Sequence, residues 1–117
     1  MTLYLANARV IGEGDEEKVR VDFTDWLVSG ETISSVDTPA EQDTDDLTIA
    51  NEAPNAATYV DPYRRDADGD LITVAIGKAV EFDVSGQLAS EGKYHIEFTV
   101  TSSASRKKKV GLVLLVE

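Results

Sequence analysis

His95 is the only histidine of the chain and stands two residues before Glu97 in "KYHIEFTVTS". A histidine can serve as general base to a nucleophile, but that needs a cysteine, serine or second histidine placed to pair with it, and the sequence offers no such partner. "DADGD", residues 66 to 70, could offer oxygen ligands to calcium. The helix-flanked calcium loop requires acidic or amide side chains at alternate positions before its glycine and a glutamate closing it. Here Arg64 takes one ligand position and Ala75 the closing one, so an aspartate and glycine turn into the strand "LITVAI" is the expectation. Twenty-two acidic residues leave paired carboxylates open in principle, yet no feature selects two of them. The expectation is a protein without catalytic residues, metal or cofactor, whose function lies in contacts.

The elements that would carry those contacts follow a period of two. In "KYHIEFTVTS", Tyr94, Ile96, Phe98 and Val100 share one face, and Lys93, His95, Glu97 and Thr99 the other. "KKKVGLVLLVE" repeats the pattern with Val110, Leu112, Leu114 and Val116, and the polar "SSASRK" joins the two as a hairpin. Val19, Val21 and Phe23 alternate in "EKVRVDF", as do Val80, Phe82 and Val84 in "AVEFDVSG". Shorter strands are expected around Ile33 and Val36, around Leu47 and Ile49, and around Ile72, Val74 and Ile76. Residues 41 to 46 and 51 to 63, the latter with Pro54 and Pro62, read as loops. About seven strands without a helical stretch imply an all-β, immunoglobulin-like antiparallel β-sandwich. In that fold Tyr94 would send its hydroxyl back to upstream backbone. Residues 17 to 117 would form the sandwich, and residues 1 to 16 an N-terminal arm or an extra strand.

Composition narrows the partners. At 117 residues the chain suits one domain with one core, and its 42% hydrophobic content can fill it. A net charge of −11 repels phosphates and anionic lipid headgroups, so no nucleic-acid or membrane partner is expected. There is no cysteine, hence no disulfide, and no window approaches the ~18 apolar residues of a membrane span. The chain is expected to be soluble and made in a cytoplasm.

"DFTDWLVSGETISS", residues 22 to 35, holds the only tryptophan. Trp26 with Leu27 either anchors a partner or plugs one end of the sandwich. In the last strand Val113 and Leu115 make the second face apolar too, so either a second layer of the same chain, such as "LYLANARV", or a neighbouring subunit covers it. "SRKKK" concentrates Arg106, Lys107, Lys108 and Lys109 at one hairpin, either as a dock for an acidic partner, another copy included, or as a solvated turn that discourages edge pairing.

The segments "VDFTDWLVSGETISS" and "SGQLASEGKYHIEFTVTSSASRKKKVGLVLLVE" resemble the fibre-to-tail adaptor proteins of tailed bacteriophages. Asp25, Trp26, Leu27, Glu31, Thr32 and Ile33 match the first part of that pattern. Gly92, Tyr94, Val100, Thr101, Ser102 and Arg106 match the second, while Ser105 stands where a glycine is usual. The resemblance covers roughly residues 17 to 117, without the stretch from Asp37 to Asp70. It implies a non-enzymatic virion protein, made in the host cytoplasm, that joins tail fibres or spikes to the tail. Its partners would be tail or neck proteins and fibres, and it would act in several copies. A capsid decoration or cement protein, and a carbohydrate-binding adhesion module using Trp26, Tyr59 and Tyr63, remain open beside it.

Overall fold

The computed structural model describes residues 4–5 and 9–117. Eleven strands run through them: β1 (Tyr4–Leu5), β2 (Arg9–Ile11), β3 (Glu17–Asp22), β4 (Ile33–Val36), β5 (Ala40–Glu41), β6 (Thr48–Pro54), β7 (Tyr59–Arg65), β8 (Leu71–Val74), β9 (Ala79–Ser85), β10 (Lys93–Ser102) and β11 (Lys107–Val116). Among the described residues there is no α-helix, and none long and apolar enough to cross a membrane.

Two sheets face each other. One runs β1-β11-β10-β4, with β2 also on β11 and β5 also on β10, and the other runs β3-β9-β6. Together they make the all-β, sandwich-like fold that the alternating rows imply. The core lies between them and is built from the alternating rows. Val19, Val21 and Phe23 point in from β3 and its end, Val80, Phe82 and Val84 from β9, Tyr94, Ile96, Phe98 and Val100 from β10, and Val110, Leu112, Leu114 and Val116 from β11. Phe82 and Phe98 meet edge to face across the sheets, with ring centroids 5.7 Å apart.

Four expectations change. The strands number eleven rather than about seven, because short β1, β2 and β5 lack room for a readable alternation. β1 and β2 pair β11 in parallel, so the sandwich is not wholly antiparallel. Residues 51 to 63 are not one loop: β6 continues to Pro54 and β7 begins at Tyr59. Among the described residues β7 pairs only β8, and its face is held by ion pairs rather than a greasy row, which hides it from a hydrophobic pattern. Ile76 lies beyond the end of β8 and is exposed.

The N-terminal segment reaches the domain at its described residues. Arg9, Val10 and Ile11 pair with Leu114, Leu115 and Val116, and Ile11 is buried in the core. The Gln87 side chain fastens the turn that follows, donating to the carbonyls of Gly12 and Asp15 at 2.7 Å each.

Candidate functional site

The chain after β3 folds into a tight turn. The Asp22 carboxylate accepts from the N–H and hydroxyl of Thr24, at 2.9 and 2.6 Å, and the N–H groups of Trp26 and Leu27 both return to the Phe23 carbonyl. This turn sets the Trp26 indole edge-on to Phe23, centroids 6.2 Å apart, and buries Leu27 in the core. A second turn follows, in which Gly30 adopts φ 83° and Glu31 donates its N–H to the Val28 carbonyl.

Glu31 is thereby carried inside, with 3% of its surface exposed. Its carboxylate accepts from Arg106 Nε at 2.9 Å, from Arg106 Nη2, from the Ser102 hydroxyl and from the Val28 N–H at 2.9 Å. The Lys78 ammonium donates to the Glu31 carbonyl. Paired hydrogen bonds from Arg106, then those from Ser102 and Val28, pull the Glu31 pKa from its ordinary 4.5 down to about 2, against the opposing effect of burial. The same pairing raises that of Arg106.

Arg106 comes from the β10–β11 hairpin. Its guanidinium lies 4.4 Å from the Trp26 ring centroid and donates to the Trp26 carbonyl at 3.0 Å. Ser105 takes φ 62° in that turn, the left-handed conformation a glycine adopts without strain. The Ser102 hydroxyl accepts from the N–H groups of Ala104 and Arg106 at 3.2 Å each. The segment around Trp26 and the hairpin around Arg106 are one latch at one end of the sandwich.

Tyr94 closes the opposite end. Its hydroxyl accepts from the Leu88 N–H at 2.9 Å and donates to the Asp46 carboxylate at 3.0 Å. Burial pushes its pKa up. This is the return to upstream backbone expected of it.

The structure thus brings Trp26, Leu27 and Arg106 together and leaves the other candidates apart from them. Lys107 is exposed and Lys108 half-buried on the hairpin, while Lys109 pairs with Glu97 at 3.0 Å. Val113 is half-buried and Leu115 exposed on the outer face of β11, where Leu115 pairs with Val10. β1 and β2 lengthen the sheet at its edge. They do not lie over that face.

His95 Nδ1 lies 3.2 Å from Asp43 at the surface. The Asp66 carboxylate accepts from the N–H groups of Asp68 and Asp70, so "DADGD" caps the β7–β8 turn. Among the described residues no group of three or more His, Cys, Asp or Glu could hold a metal ion.

Glu31 and Ser102, which belong to the matched pattern but were not expected as interface residues, complete the latch together with Lys78, since nothing local marks a pairing across 75 positions. A second polar cluster was equally silent. Arg64 bridges Asp22 and Asp61, the latter at 2.7 Å, and Arg20 stacks 4.9 Å from the Tyr59 ring. Burial, with Asp22 and Asp61 nearby, raises the Tyr59 pKa to about 12. These contacts hold the β7–β8 hairpin against β3.

No family model matches the chain, and no curated protein matches it. Among solved structures it is similar to one described as "Solution Structure of Amebosin", with a TM-score of 0.41 and 11% identity over 94% of this chain and 88% of that one. A likeness so low bears on neither fold nor function.

Proposed function

We propose that this chain is a non-enzymatic virion component, an adaptor joining the tail fibres or spikes of a phage to its tail. One observation supports the reading above others. The two segments that resemble the fibre-to-tail adaptors lie 75 positions apart at Glu31 and Arg106, yet they meet in one latch. Four of the residues shared with that pattern, Trp26, Glu31, Ser102 and Arg106, are joined through the Arg106 guanidinium and the Glu31 carboxylate, so these four belong together for a physical reason. The exposed row of Val10 and Leu115 offers apolar surface to another virion protein.

The adhesion-module alternative loses ground on geometry. Sugar recognition needs open aromatic faces, whereas Arg106 covers the Trp26 ring and Arg20 the Tyr59 ring. The side chain of Tyr63 lies outside the described residues.

Antibody labelling of purified phage particles, with mass spectrometry of their proteins, tests the proposal. Label at the tail is the expected result. Label over the capsid surface would favour a decoration protein instead, and absence from the particle would overturn both.

A further inference from the structure

The first two strands and the last lie side by side and point the same way. β1 and β2 run parallel to β11, with Tyr4 and Leu5 opposite Val110 and Gly111, and Arg9, Val10 and Ile11 opposite Leu114, Leu115 and Val116. The pairing continues past the strand ends. The Glu117 N–H donates to the Ile11 carbonyl and the Glu13 N–H to the Glu117 carbonyl, both at 3.0 Å.

Direction decides how such a pair meets a load. When the N-terminal end of one parallel strand is drawn away from the C-terminal end of its neighbour, the two slide along their axes and every hydrogen bond between them is strained at once. In an antiparallel pair the same two ends would sit at one end of the ladder, and the bonds would open singly. Other contacts resist the sliding here. β11 is gripped on its far side by β10, from Lys107 to Leu115. Ile11 is buried in the core, so β2 cannot slip without dragging that side chain through close-packed neighbours. Gln87 holds the chain just after β2 through the carbonyls of Gly12 and Asp15 at 2.7 Å each, and its own carbonyl accepts from the Gly14 N–H at 3.1 Å. The Arg9 guanidinium ties β2 to the other sheet at the Arg20 carbonyl, 2.8 Å away.

We infer that the domain is a force-bearing unit, in which the parallel ladders of β1 and β2 on β11 act as a shear clamp. Tension entering before β1 and leaving after β11 passes straight across these ladders. The strands between them in sequence, β3 to β10, take up load only once the clamp has slipped. The inference stands on strand direction alone and holds whether or not the chain belongs to a virion.

Single-molecule pulling of the full chain in two directions tests it. The sequence has no cysteine, so handles attach only where cysteines are added. One protein carries them before Met1 and after Glu117, which loads the clamp. The other carries Glu91→Cys and a cysteine after Glu117. Lys93 stands opposite Leu115, and the Gly92 carbonyl accepts from the Val116 N–H at 2.9 Å, so this second pair of handles sits at one end of the antiparallel β10–β11 ladder and opens it bond by bond. Glu91 is exposed, and equal denaturation midpoints check that both proteins have the same fold and stability. At one loading rate the rupture force should be about twofold or more higher in the first direction, because forced unfolding reads the barrier along the path pulled. Equal forces, or a lower one in the first direction, would overturn the inference. So would a weak early step in that direction that frees residues 1–13 before the main rupture.

Discussion

The guanidinium of Arg106 lies between the Trp26 indole, 4.4 Å from its centroid, and the Glu31 carboxylate. It thus ties the turn that leaves β3 in one sheet to the hairpin that ends the other. Tyr94 does the same at the far end through Leu88 and Asp46. The last strands run between two clasps, and hydrophobic packing fills the span.

Stability should fall with acid in a defined window. The folded-state pKa of Glu31 is depressed, so its contribution is complete above its ordinary value of 4.5 and is lost as pH falls toward about 2. Because Trp26 is the only tryptophan and covers Arg106, its emission should shift over the same window. In Glu31→Gln that part of the acid response should disappear, as measured by denaturant unfolding at stepped pH.

Tyr94→Phe should keep the ring in place and delete both hydroxyl bonds. The Leu88 N–H and Asp46 then lose a partner, at a cost of roughly 1–2 kcal/mol in urea unfolding.

Ile11→Ala tests whether the N-terminal strand belongs to the core. Ile11 packs with the buried cluster, so the substitution should cost about 2–4 kcal/mol. An arm lying on a neighbouring copy would instead give an unchanged melting point in dilute protein.

Arg64→Met should loosen one hairpin. It strips Asp22 and Asp61 of a shared cation, worth roughly 1–3 kcal/mol for lost charged hydrogen bonds. Hydrogen exchange should quicken across β7 and β8 while β10 and β11 keep their protection.

The core was legible because burial on one face of a strand imposes a period of two, and Val19 to Phe23, Val80 to Val84, Tyr94 to Val100 and Val110 to Val116 obey it. Tyr94 could be read from its place at the entry to a late strand. β7 could not, since Asp61 and Arg64 replace greasy contacts with ion pairs that leave no periodic trace. Trp26, Leu27 and Arg106 stood out by type, but their contact depends on Glu31, a glutamate that looks like any other surface acid until the fold surrounds it. Val113 and Leu115 stood out as a second apolar face, and the described part of the N-terminal segment pairs beside β11 instead of covering that face, which leaves a neighbouring subunit as the expected cover.

The direct test of the latch is a comparison of Arg106→Met with the double variant Glu31→Gln, Arg106→Met in equilibrium unfolding. Removing Arg106 alone strands a buried carboxylate, so the single variant should be the less stable of the two, and neutralising Glu31 should recover part of the loss. Additive losses, with the double variant weakest, would contradict the account, because Glu31 and Arg106 would then act without each other.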